Sequence, residues 1–403
     1  MRILYLSQLV PYPPDSGPKV RQYYTLRFLA KRHEVTLVAF SRPDDPPDAV
    51  ERLKGFCTAV HTVPMIRSRA RDILSLIGSW LSGQSFIIRR DTVPQMNALV
   101  QREIASGGYD IIHADQLWMA QYGLLGAGSG ARLVLDEHNA CFQIFQRLAQ
   151  GEKNPLKRLV LEREWKALKR YEAQACACFD RLVTVTEEDR VILEELVQGA
   201  GGAAGGSPVF ATIPICVDTA SILPVTPQDN SQDVLLLGTM FWPPNIEGAL
   251  WFARQVWLRV RQRLPQATFT LVGKNPPEAV RALQSEGTGI RITGYVPDPL
   301  PYLERAAAFV VPLFSAGGMR VKIVDGWRWG LPVVSTSIGA EGIRYTDGEN
   351  ILIRDDAEGF AEAIIRLLQD QEMNRKLRQN GRRWVEEKYD WERVYPAWEE
   401  VYR

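Results

Sequence analysis

Short runs of apolar residues recur along the chain, each followed by an amphipathic stretch with a helical period. Ten of them read as strands: RILYLS, EVTLVAF, DIIHA, ARLVLDE, RLVTVT, DVLLLG, ATFTLVG, IRITG, AAAFVVPL and LPVVST. They are four to eight residues long, rich in Val, Ile and Leu, and bounded by turn residues. That is how parallel strands buried on both faces look. Between them lie helical patterns such as VRQYYTLRFLAKR and ALWFARQVWLRVRQRL. Strand–helix alternation implies right-handed crossovers and doubly wound sheets, so the fold class is α/β throughout.

One interruption divides the pattern. Residues 199–207, GAGGAAGGS, cannot pack a core and are expected to form a flexible loop. A short apolar piece, ATIPICVD, and a polar stretch, TPQDNSQ, precede the restart of alternation at Asp233. This predicts a first domain over 1–215, a linker over 216–232 and a second domain over 233–385. The aromatic-rich segment 386–403 is expected to be a helix that returns to the first domain. Two Rossmann-like sheets facing one another would leave a central cleft. Open α/β sheets take ligands outside the carboxyl ends of their strands, so chemistry is to be sought in the loops that follow strands.

The bulk numbers narrow the choice of chemistry. With 403 residues the chain exceeds one ordinary core. Its formal net charge of +1 gives no global field for nucleic acid, so a basic site must be local. No apolar run reaches the roughly 18 residues of a membrane span, and MRILYLSQ reads as a first strand rather than a signal peptide. Five scattered cysteines without CxxC or HExxH spacing argue against a disulfide scaffold or a zinc site and for a reducing, cytoplasmic setting. Cys176 and Cys178 read as small buried residues.

Four loops after strands concentrate chemistry. In SQLVPYPPDSGPKVRQYY, Gly17 permits close approach where a helix opens and its free N–H groups favour anions. A proline-stiffened turn is the competing reading. HADQLWMAQY and DEHNACF place His113, Asp115 and His138 where strands meet their loops. Each could equally be a satisfied core residue. In GTMFWPPNIEGALWF, Gly238 and Thr239 could approach a phosphate or sugar, while Asn245 could cap the helix. The densest stretch is GGMRVKIVDGWRWGLPVVS. Gly317, Gly318 and Met319 offer backbone donors, and Arg320 and Lys322 offer charge. A helix from about residue 320 would set Lys322, Asp325 and Trp329 on one face. The alternatives are a surface Lys–Asp pair, or cations on a diphosphate with a carboxylate on ribose hydroxyls.

PLFSAGGMRVKIVDGWRWGLPVVSTSIGAEGI resembles the donor-site segment of retaining GT-B glycosyltransferases of family 4. FTLVGKNP, GYVPD at 294–298, FDRLVTVTEEDR at 179–190 and IPICVD at 213–218 resemble the same enzymes in the same order. HADQLWMAQY and LDEHNA resemble their acceptor-side wall, assigning His113, Asp115 and Asn139 to that side. The resemblance implies that Asp325 binds the nucleotide ribose, that Arg320 and Lys322 neutralise the donor diphosphate, and that the backbone at Val296 contacts the base. It further implies that Gly273 belongs to the donor loops, that Gly17 flanks the phosphates, and that His138 lines the reaction centre. Two departures stand out. Gly317 occupies the position of a first acid, and TMFWPPN replaces an Arg/Lys pair, so diphosphate charge falls on Arg320 and Lys322.

The expected reaction is transfer from a nucleoside diphosphate sugar to the hydroxyl of a glycan, lipid-linked or small-molecule acceptor. No D-x-D motif suits a metal–diphosphate bridge, so cations and helix dipoles would stabilise the leaving group without metal or other cofactor. Retention follows from the resemblance. Two other classes stay open: a sugar-nucleotide epimerase, which needs several cleft acids and histidines, and a non-catalytic sugar-nucleotide-binding partner in a glycan-assembly complex. Finally, residues 65–90 hold five arginines, one acid and clustered apolar residues. Such a helix either packs on its own domain or lies on the inner face of an anionic membrane.

Overall fold

The computed structural model describes residues 1–199, 207–226, 228, 230–315 and 318–403. It comprises two compact units, Met1–Cys216 with Val394–Arg403, and Val217–Arg393. Most of the predicted glycine-rich loop, 200–206, lies outside the described residues, as does Gly317.

Unit 1 is a seven-stranded sheet in the order β3-β2-β1-β4-β5-β6-β7. Its strands are β1 (Arg2–Ser7), β2 (Glu34–Ser41), β3 (Ala59–Pro64), β4 (Ile111–Asp115), β5 (Arg132–Glu137), β6 (Arg181–Thr184) and β7 (Val209–Thr212). All pairs are parallel. After Arg2, β1 is wholly buried, and so is β4, which is why their sequences run apolar without alternation. Helices supply the covering layers. Among them are Gly17–Ala30 after β1, the Arg69–Ser82 and Phe86–Arg90 pair, Cys141–Gly151 and the long Pro155–Ala177.

Unit 2 repeats the plan with six strands, ordered β10-β9-β8-β11-β12-β13. These are β8 (Asp233–Leu237), β9 (Thr268–Val272), β10 (Ile290–Gly294), β11 (Ala306–Val311), β12 (Val333–Ser335) and β13 (Leu352–Ile353). Again every pair is parallel. Its core gathers Phe252, Trp257, Phe269 and Phe360 against the sheet. In each sheet the order reverses beside the first strand, between β1 and β4 and between β8 and β11. These are the topological switch points where such sheets bind ligands.

The ten expected strands are present, and three more occur: β3, β7 and β13. Each of the three ends a sheet. An edge strand is shielded on one side only, so AVHTVP mixes two buried residues with more exposed ones and VFAT has none fully buried.

The segments between the units differ from expectation. The described residues of 217–232 pack with unit 2 rather than standing as a linker: the Val225 N–H donates to Trp329 O at 3.0 Å and the Gln228 N–H to Glu304 O at 2.9 Å. The chain re-enters unit 1 at Val394 rather than 386, because the Gln371–Lys388 helix still belongs to unit 2. The returning segment is anchored by aromatics, with Tyr395, Trp398 and Tyr402 buried. Tyr402 Oη lies 2.7 Å from His113 Nδ1, and Arg132 donates to Tyr402 O at 2.6 Å. Cys176 is buried as expected, but Cys178 is exposed, since it stands just past the end of the Pro155–Ala177 helix.

Candidate active site

In unit 1 the switch point holds a buried network of charge. Arg21, on the helix after β1, is fully buried and grips Asp136 of β5 through two hydrogen bonds of 2.7 and 2.6 Å; a third N–H donates to Ile213 O at 2.6 Å. Asp115, at the end of β4, accepts from Tyr5 Oη at 2.9 Å and from the Gln22 amide. His138, in the loop after β5, places Nε2 3.1 Å from Asp115 and 3.8 Å from Asp136. Its Nδ1 faces the Gln116 amide at 3.2 Å.

The network sets protonation states. Burial opposes charge on His138, yet Asp115 and Asp136 raise its imidazole to about 9, so it is an imidazolium at neutral pH. Against the cost of burial, Arg21 and His138 hold Asp136 well below the usual carboxylate range. His113 goes the other way: burial lowers it to about 4, and as a neutral ring it hydrogen-bonds with Tyr402 Oη and stacks on Tyr5 with centroids 4.3 Å apart. The sequence assigned His113 and Asp115 to an acceptor wall, but both are wholly enclosed. They hold the C-terminal segment and orient His138. Asn139, half-exposed beside His138, is the member of that group with open surface.

The His138 loop is braced from behind. Glu172 accepts the N–H groups of Cys141 and Phe142 at 2.7 and 2.9 Å, and Asp189 accepts that of Ala140 at 2.9 Å. Glu137 is fully buried, and burial, then the neighbouring Glu172 and Asp136, push its carboxyl well above the usual carboxylate range. Gln116 has φ of 70°, a strained value for a residue with a side chain, of the kind that recurs at functional sites. Sequence reasoning missed Arg21, Asp136 and Gln116. Asp136 alone carried a signal, two positions before His138.

Two trios offer metal-ligand atoms within 4.8 Å of one another: His113, Asp115 and Asp136, and Glu137, Cys141 and Glu172. In the first, Arg21 already supplies the cation. In the second, both Glu172 oxygens accept backbone amides.

In unit 2 the switch point presents cations beside glycine backbone. The Val321–Arg328 helix follows β11, with Arg320 at its N-cap. Lys322 Nζ donates to Asn245 Oδ1 at 2.6 Å, and Asn245 Nδ2 donates to Thr239 O at 2.8 Å. Asn245 therefore does not cap its helix, whose N-cap is Trp242; it clamps Lys322 to the loop after β8. At Gly238 a Cβ would sit 2.5 Å from Lys322 Nζ and 3.1 Å from Asn245 Nδ2, so a side chain there would push the flexible end of Lys322 off its clamp. Gly273 is required behind it, where a Cβ would lie 1.8 Å from Gly238 O. Thr239 is exposed, while Met319 and Arg320 are buried. Arg320 donates to Gly318 O and lies 3.2 Å from Glu341.

The Lys322–Asp325 pair, one of the two alternatives, does not form. Asp325 pairs instead with Arg328 at 2.8 Å, and burial raises its carboxyl although Arg328 opposes the shift. Among the described residues no carboxylate pairs with Lys322. Burial, and then the like charge of Arg320, lowers its ammonium to about 8. Next to Val296, which is half-buried, Asn275, Arg281, Gln284, Ile292, Thr293 and Tyr295 line a cavity of about 540 Å³. In unit 1, Gly17 opens the 14-residue helix Gly17–Ala30 behind Ser16, so its amide end faces the loop after β1.

The comparisons with known proteins agree with this geometry. The model for Glycosyltransferase Family 4 matches residues 16–199, and that for Glycosyl transferases group 1 matches 231–370. A 44.6 kDa protein in the cps region of Klebsiella pneumoniae is 23% identical over 410 residues, covering 98% of each chain. The lipopolysaccharide core biosynthesis glycosyltransferase LpsE of Rhizobium meliloti (strain 1021) is 36% identical over 96 residues, 23% of this chain and 27% of that one. The crystal structure of Anabaena Alr3699/HepE in complex with UDP and glucose superposes with a TM-score of 0.64 at 16% identity, covering 100% of this chain and 99% of that one. Two family models that together span most of both units, on paired parallel sheets of this order, place the chain among the GT-B glycosyltransferases of family 4.

Proposed function

We propose that this glycosyltransferase moves a hexosyl group from a nucleoside diphosphate sugar to an acceptor hydroxyl, with retention and without a metal. The observation that carries the reading is Lys322, a half-buried ammonium clamped over Gly238 with no carboxylate partner among the described residues and lowered to about 8 by desolvation. A partly desolvated cation held without a counter-charge suits an anion supplied by a ligand. Lys322 and Arg320, at the positive end of the Val321–Arg328 helix, then neutralise the diphosphate as it departs. Asp325 binds the ribose, the backbone at Val296 meets the base, and Gly238, Thr239, Gly273, Gly318 and Met319 line the donor.

As the C1–phosphate bond breaks, the acceptor oxygen bonds to C1 from the same face and its proton passes to the leaving phosphate oxygen. His138 enters as a hydrogen-bond donor rather than a base, since it carries a proton at neutral pH. An imidazolium at His138 and an enclosed His113 make neither histidine a suitable base for an epimerase. Uridine as the donor base is suggested by the UDP in the Anabaena structure. A surface-glycan acceptor fits the lipopolysaccharide-core role in the name of the Rhizobium enzyme. We place the reaction in the cytoplasm, where five free cysteines would stay reduced.

A thermal-shift panel of UDP-, GDP-, ADP- and dTDP-sugars tests the donor, because a ligand that binds only the folded state raises the melting temperature. Stabilisation by none of them at millimolar concentration would overturn the reading. The anomeric configuration of the product, read by NMR, tests retention.

A further inference from the structure

The Arg69–Ser82 helix of unit 1 is built inside out. Of its fourteen residues Ser79 alone is buried, while Asp72, Ser75, Leu76 and Gly78 are half-buried. Its large apolar residues face away from the unit: Ile73 is 58% exposed, Leu74 67%, Ile77 53%, Trp80 48% and Leu81 85%. These positions form one stripe at helical spacing. What fastens the helix is polar. Arg163 and Arg170 of the Pro155–Ala177 helix donate to the carbonyls of Ser79 and Gly83, and the Arg163 guanidinium lies 4.9 Å over the Trp80 ring. About half or more of each of these side chains stays open to solvent.

The Pro155–Ala177 helix that supplies these arginines also carries exposed apolar residues. Its first six residues, Pro155–Val160, are exposed, with Leu156 and Leu159 open to solvent. Cations border the apolar surface: Arg69, Arg71, Lys157 and Arg158 are exposed, and none has a carboxylate partner among the described residues. Asp72 is the one acid on the Arg69–Ser82 helix.

We propose that this face docks on the surface of an anionic phospholipid bilayer, with the Ile73–Leu81 stripe entering the headgroup boundary and the bordering arginines and lysines meeting lipid phosphates. Apolar residues flanked by unpaired cations are what such an interface binds, the long cationic stems reaching to the headgroups. A second copy of this chain is a poorer occupant, because a symmetric contact would oppose the same cations. The mode is attachment and not insertion: no described helix is long and apolar enough to cross a membrane.

The test is co-sedimentation with vesicles of phosphatidylcholine containing about one-third phosphatidylglycerol, beside pure phosphatidylcholine. The full chain should bind the anionic vesicles and release with salt. Leu74→Glu with Ile77→Glu should lower the bound fraction about tenfold or more. Arg69→Glu with Arg71→Glu should weaken binding to anionic vesicles in the same direction. Both variants should keep the donor-dependent thermal shift, which checks folding and keeps the donor reading separate, since the stripe lies on other elements. No binding to anionic vesicles, binding untouched by the paired glutamates, or a wild-type dimer in sedimentation velocity that they dissolve would each overturn the proposal.

Discussion

The charged cluster of unit 1 and the cationic cradle of unit 2 occupy equivalent places, each at the switch point of its parallel sheet. They differ in where the counter-charge comes from. In unit 1 the protein supplies both signs: Arg21 and His138 answer Asp115 and Asp136 inside a sealed network. In unit 2 the protein supplies cations in excess, and Lys322 leans on a neutral amide. A self-neutralised cluster holds geometry, whereas one short of counter-charge suits a ligand. The same residue types therefore serve stability in one unit and binding in the other.

The sharpest way to break this contrast is to remove one cation from each. Arg21→Ala strands Asp136 in the interior and should cost about 3–5 kcal/mol of folding stability, read by urea denaturation. A loss under about 1 kcal/mol would mean that the network is not the brace it looks to be. Lys322→Ala should leave the melting temperature of the free protein unchanged or raised, while weakening nucleotide-sugar binding by about 1.5–3 kcal/mol in calorimetry. Asp325→Ala should cost donor affinity in the same range of about 1.5–3 kcal/mol, and unchanged affinity in a folded variant would remove the ribose assignment.

His138→Ala sharpens the comparison, because His138 lies between the two kinds of role. It should depress turnover more than donor binding; equal losses would make it purely structural.

The smallest effects come from pH, and the two clusters respond differently. His138 is raised from 6.5 to about 9, so its contribution to stability is complete below pH 6.5 and fades as pH rises through 9. Lys322 is lowered from 10.5 to about 8, so it disfavours folding below pH 8 and that penalty is relieved between pH 8 and 10.5. Donor binding reads Lys322 separately. A diphosphate favours the ammonium, so affinity should fall above pH 8 by up to about 1.4 kcal/mol per pH unit, with proton uptake on binding. Calorimetry in two buffers of different ionisation enthalpy measures that uptake, and an affinity flat from pH 7 to 9 would contradict the assignment.

How much of this was legible in the chain varies from residue to residue. Arg320, Lys322 and Asp325 sit within six positions of a loop between two buried strands, so spacing alone could raise a phosphate site. Arg21 meets Asp136, 115 positions away, and Ile213, 192 positions away. No local pattern encodes such a contact. Strands buried on both faces were readable from their apolar runs; β3 and β7, at sheet edges, lack such a run, and β13 is only two residues long. The Arg69–Ser82 helix shows the limit most clearly. Its amphipathic pattern is plain in the sequence, but the pattern says only that two faces differ, not which one meets the protein.

By itself the sequence determined the α/β class, the division into two sheets, the family and the clustering of cations at 320–322, because each is written in local periodicity or in residues close together along the chain. The tertiary structure alone decided that His113 and Asp115 are enclosed supports, that His138 carries a proton, that Lys322 answers Asn245 and not Asp325, and that an apolar stripe faces outward. Burial and pairing across long separations set protonation, partner and exposure, and those depend on what the fold brings near.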